Sequence, residues 1–492
     1  MFRKVLIANR GEIAIRVART LRELGVASAG VFTDADRESL HVRRVDEAVA
    51  LGADPRAYLD AEQLVAAAVA AGCDAVHPGY GFLSENADFA ELVSARGLTF
   101  VGPSASAIRA MGSKERARAA MTGAGVPVVP GGSARTLEEA RATAAAVGYP
   151  LMVKATDGGG GKGMRLVRTE VELESALERT RSEAEKAFGN GDVYIEKALE
   201  KPRHVEVQVL GDREGRIVHL FERDCSLQRR HQKIVEETPC PVLEPATRAA
   251  LTAIALQGAR SLGYYSAGTF EFLLDADGRF YFLEMNTRLQ VEHPITELVT
   301  GVDLVREMLR VAAGLPLELE PEARGAAIEA RLCAEDPSRG FVPSPGRIEH
   351  LVSAAGPFVR QDSGIFEGAV VSPHYDPMFA KLAVWAPTRA EALARLLRAL
   401  GETLVLGVDT NVAFLERLLS TPDVAAGLYD TGFVERRLAE LLATARHDDD
   451  GLVAAAAVGA LVGNVHANFA SRPDEGLSPW VAAERAERLG RP

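Results

Sequence analysis

Cysteine is scarce in this chain: four in 492 residues, Cys73, Cys225, Cys240 and Cys333, with no CxxC pair among them. A disulfide framework and a cysteine zinc site are therefore not expected, and a reducing, cytoplasmic setting is. Long apolar runs are missing too. The longest, Leu452 to Val462, is too short to cross a bilayer, and no signal or transit segment precedes the strand-like Val5-Leu6-Ile7-Ala8, so no membrane partner is expected. Lysine is rare, 9 against 47 arginines, and the net charge is −12. No nucleic-acid partner is expected of so acidic a chain, because phosphate neutralisation needs clustered cations. An acidic enzyme with a locally basic site remains open. Only Gly11 follows the first strand, so the dinucleotide fingerprint GxGxxG is absent there; GxxxxGK[ST], internal repeats and low-complexity tracts are also absent.

What is present is an ordinary globular balance, 47% hydrophobic and 25% charged, in a chain long enough for roughly two to four lobes. Up to residue 113 short apolar strands alternate with amphipathic helices. Val5–Ala8 is followed by a helix from Gly11 to Leu24, apolar at Ile13, Val17, Leu21 and Leu24. Further strands are predicted at Ala29–Phe32, Ala75–His77 and Leu98–Val101. That alternation predicts a parallel, Rossmann-like sheet, although without the dinucleotide fingerprint. A compact α/β stretch follows to His204, then a strand-rich α+β region to about residue 447. Asp448-Asp449-Asp450-Gly451 marks a boundary before a tail, 448–492.

Four segments carry chemistry. Gly158 to Gly161, flanked by Lys154 and Lys162, can turn backbone N–H groups toward an anion; a flap over phosphates and a flexible surface loop both fit. Five of the nine lysines (Lys114, Lys154, Lys162, Lys197, Lys233) are among the residues singled out in this sequence, by chance or because a point charge suits a phosphate better than a guanidinium. Thr269 to Asn286 reads as a hairpin around Asp277-Gly278. With a two-residue turn, Glu271 faces Glu284 and Thr269 faces Asn286, while Phe270, Phe272, Leu283 and Met285 take the other face. Opposed carboxylates call for a cation such as Mg²⁺, or for an exposed edge where water screens them. Next, Arg288, Gln290 and Glu292 recur every second residue, so an extended segment would project all three one way. They would make a small-oxyanion site with Glu292 placed to take a proton, or a surface strand with a salt bridge. The dense polar run Glu222 to Lys233 is either a ligand site or a solvated basic loop. Glu196-Lys197, ending a strand, is a candidate adenine-side hinge.

Taken together these segments resemble a known family. Ala8-Asn9-Arg10-Gly11-Glu12-Ile13-Ala14, His77-Pro78-Gly79-Tyr80-Gly81-Phe82-Leu83-Ser84-Glu85-Asn86, the GGGGKGM run, Arg223-Asp224-Cys225-Ser226 with Gln228 to Lys233, and Glu284 to Pro294 are similar, in order and spacing, to the biotin carboxylase component of acyl-CoA carboxylases. The resemblance runs from residue 1 to about 445. It implies an α/β fold: a Rossmann-like N-terminal lobe (1–113), an ATP-grasp lid (114–204) and a C-terminal α+β lobe (205–447). By resemblance, Lys114, Lys154, His204 and the flap Gly159, Gly160 and Gly161 would contact ATP phosphates. Glu196, Lys197 and Leu199, with Gln228 and His231, would hold adenine and ribose. Glu271, Glu284 and Asn286 would carry Mg²⁺ or Mn²⁺. Lys233, Arg288, Gln290 and the Val291 amide would hold bicarbonate, Glu292 would be the general base, and Arg331 would stabilise the biotin enolate.

The resemblance further implies a biotin carboxyl carrier and a carboxyltransferase as partners, and a homodimer. The family's carrier carries a Met-Lys-Met segment, absent here, so biotin must sit on another protein or on a further C-terminal part. Leu477-Ser-Pro-Trp480 resembles the entry to the linker domain of multidomain α-subunits, which makes a longer parent chain an expectation. Another ATP-grasp ligase, a silent regulatory subunit and a nucleotide sensor are the competing readings; the first should lack Arg288-Leu-Gln-Val-Glu-His, and the others have no use for three clustered carboxylates.

Overall fold

In the computed structural model, residues 1–155, 164–188 and 191–443 are described; the glycine run Gly158–Gly161 with Lys162, and the tail 448–492, lie outside them. The N-terminal lobe is the expected parallel sheet. Its strands are β1 (Lys4–Ile7), β2 (Ala27–Thr33), β3 (Glu47–Gly52), β4 (Ala75–His77) and β5 (Thr99–Phe100), in the order β3-β2-β1-β4-β5. The β3 strand was not expected, since most of its side chains are exposed or half-buried. The first helix, Gly11–Glu23, sends Ile13, Val17 and Leu21 into the core as its spacing predicts.

The strand order reverses between β1 and β4, and ligands of such sheets collect outside the strand ends at that point. Here Asn9 Nδ2 bridges the two loops, donating to the carbonyls of Pro78 and Tyr80, both at 2.7 Å. Gly79 has φ +65°, and a Cβ there would stand 2.8 Å from Asn9 Nδ2, so the Pro-Gly-Tyr-Gly turn needs its glycine for both reasons.

A second, four-stranded sheet has the order β6-β9-β7-β8, from Gly131–Ala134 (β6), Leu151–Ala155 (β7), Met164–Val167 (β8) and Val193–Lys197 (β9). It has its own small core of Leu151, Val153, Val167, Leu177 and Ile195. The helix Lys114–Gly123 instead packs Ala117 and Met121 with the central sheet. That sheet is antiparallel and eight-stranded: β14-β13-β10-β11-β12-β15, then Met378–Ala386 and Val359–Ser363. Here β10 is Arg203–Gly211, β11 Ile217–Arg229, β12 Gln232–Thr238, β13 Ser266–Leu274, β14 Phe280–Asn286 and β15 Ala326–Cys333.

The β13–β14 hairpin corrects one expectation. Its loop is three residues, Ala276-Asp277-Gly278, closed by Asp275 N to Arg279 O at 2.8 Å, with Gly278 at φ +79°. This is a type I turn followed by a left-handed residue, and it moves the register by one from a two-residue turn. A bulge between Glu271 and Phe272 then moves it back, so Glu271 still faces Glu284 and Thr269 still faces Asn286. The cost falls on Leu283, which lines the cleft while Phe282 fills the core with Phe270, Phe272 and Met285.

Buried ions pin the first helix to the central sheet. Arg16 reaches Glu297 at 2.9 Å and Asp303 at 2.8 Å, Arg360 reaches Glu297 at 2.6 Å and Asp362 at 2.8 Å, and Arg19 reaches Asp362 at 3.3 Å. Burial opposes ionisation of Asp362, but Arg360 and Lys381 outweigh it and bring its carboxyl to about 2. The unfolded value is about 3.9, so the stabilisation, about 2 kcal/mol, is complete above pH ~4 and lost as pH falls through ~2. Acid unfolding should show it: the stability gap between wild type and Asp362→Asn narrows over that window. A gap independent of pH would remove the ion pair as its cause.

Candidate active site

A cleft of about 1030 Å³ opens between the four-stranded sheet, the central sheet and the β1 and β4 loops. Every site residue expected from the sequence that falls among the described residues lines it, except Glu292, which is fully buried just behind. Gly159, Gly160 and Gly161 lie outside the described residues.

From Glu222 to Arg229 the polar run is a buried strand rather than a solvated loop; only Arg230, His231 and Gln232 at its turn are exposed. The run belongs to the hairpin β11–β12, turned by Arg230 (φ +49°) and His231 (φ +65°). Lys233, on β12, is the hub. Its Nζ donates to Glu206 Oε2 at 2.5 Å, Glu292 Oε1 at 2.7 Å and Glu271 Oε1 at 2.8 Å. Arg331, on β15, donates to Glu236 Oε1 through Nε at 2.6 Å and to Glu292 Oε2 through Nη2 at 3.0 Å. Burial alone would keep Glu292 protonated; Lys233, Arg331 and Arg223 outweigh it and hold the carboxyl well below its usual range. Glu292 is thus an ionised base with no solvent contact.

The segment 288–292 is not extended. It bends, and Glu292 (φ −80°, ψ 11°) caps the helix His293–Thr300. The three side chains converge all the same, by contact: Arg288 Nη1 donates to Gln290 Oε1 (2.8 Å) and Nη2 to Asn286 Oδ1 (2.9 Å), and Gln290 Nε2 reaches Glu271 Oε1 at 3.3 Å. Arg288 Nε is held by Glu85 at 2.9 Å. The Val291 carbonyl accepts from the buried Lys381 at 2.9 Å.

Glu271 receives Lys233 and Asn286 Nδ2 (2.8 Å), with His204 Nε2 2.9 Å from its other oxygen. Burial opposes it, but Lys233 and His204 keep its carboxyl well below the usual range. Glu284 opens to the cleft, and among the described residues no ion pair reaches it; the cleft walls and then the charge of Glu271 push its carboxyl up. A carboxylate pair with one member still seeking a cation, plus an amide oxygen, suits a hard divalent metal.

On the opposite wall Lys154 pairs with Glu196, which Arg118 also approaches at 3.6 Å. Lys197 Nζ is committed to the carbonyls of Tyr149 (2.7 Å) and Gly148 (3.1 Å). Lys114 opens its helix at the cleft, and Leu199, Gln228 and His231 line it. Burial pushes the His231 imidazole down, which keeps it neutral.

Sequence reasoning missed Glu206, Arg223, Glu236, Glu85 and Lys381 as parts of this site. Glu206 had a local signal, since it lies two residues past His204 on one strand face. Arg223 lies in the polar run and Glu85 in the segment His77 to Asn86, both singled out but given no role there; Glu236 and Lys381 had no signal, because each pairs with residues far away in the chain.

The sequence matches the family model for the biotin carboxylase N-terminal domain over residues 1–108. It matches that for the carbamoyl-phosphate synthase L chain ATP-binding domain over 113–320, and that for the biotin carboxylase C-terminal domain over 329–436. It is 49% identical to biotin carboxylase 1 of Bacillus subtilis over 443 residues, 88% of this chain and 98% of that one. The fold is similar to the biotin carboxylase domain dimer of Hydrogenobacter thermophilus 2-oxoglutarate carboxylase, solved with MgADP, ADP and bicarbonate. The TM-score is 0.86 at 44% identity, covering 90% of this chain and 99% of that one. A Campylobacter jejuni biotin carboxylase bound to a β,γ-ATP ligand is equally similar, with TM-score 0.86 and 44% identity, over 89% and 99% of the two chains.

Proposed function

The chain belongs to the biotin carboxylase family, and from that premise we propose that it uses MgATP and bicarbonate to carboxylate biotin, with the roles distributed as follows. The observation that carries the assignment is the buried, ionised Glu292 held between Lys233 and Arg331. Lys233, Arg288, Gln290 and the Val291 amide hold bicarbonate. Glu292 takes the bicarbonate proton on a carboxylate oxygen, and the dianion attacks the γ-phosphate, breaking its bond to the leaving ADP and forming carboxyphosphate. An anion that draws on Lys233 and Arg331 weakens the charges that hold Glu292 low, so the base strengthens as its substrate arrives.

Lys114, Lys154 and His204 orient the phosphates, assisted by the flap Gly159–Gly161. Glu196, Lys197 and Leu199, with Gln228 and His231, seat adenine and ribose. Glu271, Glu284 and Asn286 hold the Mg²⁺ or Mn²⁺, which neutralises charge on the phosphates. Carboxyphosphate then breaks to CO₂ and phosphate; the ureido nitrogen gives up its proton to that phosphate while Arg331 meets the enolate oxygen, and the nitrogen bonds to CO₂.

We place the biotin on a carrier protein or domain, the second half-reaction on a carboxyltransferase, and the chain itself in a homodimer in the cytoplasm. The dimer rests on likeness to the Hydrogenobacter domain. Among the described residues no helix is long and apolar enough to cross a membrane.

The test is MgATP-dependent transfer of labelled bicarbonate into free biotin. Labelled product is expected. Bicarbonate-dependent ATP use without it would confine the demonstrated chemistry to the first step, and neither would return the chain to the silent-subunit reading.

A further inference from the structure

Arg331 is shared between two buried carboxylates, and only one of them has a role in the reaction proposed above. Glu292 takes a single contact, from Nη2 at 3.0 Å, whereas Glu236 takes Nε at 2.6 Å and Nη2 at 2.5 Å. Neither carboxylate engages Nη1. Glu236 has no solvent exposure, lies on β12, and faces β15, where Glu329 is its register partner and Arg331 is two residues further on.

We propose that Glu236 is a positioning residue: it holds the Arg331 guanidinium at the biotin end of the cleft when Glu292 lets go. The inference rests on the biotin carboxylase reading.

The reasoning follows the charge through the cycle. Once Glu292 accepts the bicarbonate proton it is neutral, and its hold on Arg331 lapses. An arginine with a long flexible stem and no other anchor would then sample many rotamers, and the forming enolate would have to gather it. The Nε hydrogen bond to Glu236 Oε1, with Nη2 in ion-pair contact with that same oxygen, keeps the guanidinium at β12 through that interval, and Nη1 stays available to an oxygen of the substrate.

Glu236 is also poorly placed for any other purpose. Burial pushes its carboxyl up to about 7, Arg331 pulls it down and the charge of Glu292 pushes it up again. Among the described residues its Oε2 has no hydrogen-bond partner, and both oxygens of the adjacent buried Glu329 have none either. A side chain added for stability would not be left half-satisfied beside a second carboxylate. Its hold on Arg331 through Oε1 is what it does.

The experiment compares wild type, Glu236→Gln, Arg331→Met and the double variant in three assays: MgATP affinity, bicarbonate-dependent ATP hydrolysis without biotin, and biotin carboxylation. Glu236→Gln should keep the first two within about twofold and lose on the order of 10²-fold in biotin carboxylation, the usual effect of misplacing one group. In the Arg331→Met background the same substitution should change carboxylation less than about twofold, because its target is gone. The double variant removes both buried charges together, so it keeps the comparison available if a single variant folds poorly.

Carboxylation by Glu236→Gln at the wild-type rate would overturn the proposal. So would losses that multiply in the double variant, or a parallel loss of nucleotide affinity and ATP hydrolysis, either of which would make Glu236 a folding residue. Failure of the wild type itself to carboxylate biotin would overturn the underlying reading, and this proposal with it.

Discussion

Glu292→Gln should reduce biotin carboxylation by roughly 10³-fold while leaving MgATP affinity within about twofold, since positioned general bases contribute about 10²–10⁴-fold. The amide keeps the shape and can still accept from Lys233, but it cannot take a proton. Charge balance favours a folded variant. With Glu292 neutral, Lys233 still has Glu206 and Glu271, and Arg331 still has Glu236. The nucleotide groups Lys114, Lys154 and His204 are not bonded to Glu292, so nucleotide affinity reports on folding independently of the base. Equilibrium titration with MgATP and the labelled-bicarbonate assay together check the prediction. Carboxylation within tenfold of wild type would mean that another group removes the proton. Loss of MgATP affinity would mean that Glu292 is a structural residue whose charge the cleft cannot spare.

How much of this was legible before the fold was known depends on the range of the interaction. The parallel lobe followed from strands and helices alternating over short distances; the boundaries of β1 and β2 moved by only a residue or two and those of β4 not at all. The opposition of Glu271 and Glu284 was legible as well, but through a turn that is wrong. The three-residue loop displaces the register and the bulge restores it, and a bulge has no signature in the residues Phe280 to Glu284. Arg288 and Gln290 touch each other, Glu85 anchors the first, and Lys233 ties Glu292 to the Glu271 that Gln290 reaches, so the three converge without strand periodicity. The hub itself was not legible. Lys233 meets Glu206, Glu271 and Glu292 across 27, 38 and 59 residues of chain, and only the order of the central sheet brings them together. A single charged residue in a strand gives no warning that it will be buried beside another.

Arg223 is the clearest example of such a residue, and its removal should have the largest effect on stability. It has no exposure. Nε donates to Glu206 Oε1 at 2.6 Å, Nη1 to Gln208 Oε1 (2.8 Å) and Thr296 Oγ1 (2.9 Å), and Nη2 to Thr269 Oγ1 at 3.3 Å. One guanidinium thus joins β11, β10, β13 and the helix that begins after Glu292. Arg223→Met fills similar volume but leaves Glu206 buried with half its counter-charge, takes the Arg223 donor from Thr296 Oγ1 and Thr269 Oγ1, and leaves Gln208 Oε1 only the Thr269 hydroxyl at 3.5 Å. Breaking a buried pair this way costs about 3–5 kcal/mol, so the denaturant midpoint should fall accordingly. Lysine should not rescue it, because a point charge cannot serve four acceptors in a fixed plane. Adding Glu206→Gln to Arg223→Met removes the uncompensated charge and should recover part of the loss, by a coupling of about 1–3 kcal/mol. Lys233 would then keep Glu271 and Glu292 as partners, and part of the bicarbonate-dependent ATP use should return with the stability. A loss under about 1 kcal/mol for Arg223→Met, or no recovery in the double variant, would mean that the central sheet holds this site without the buried pair.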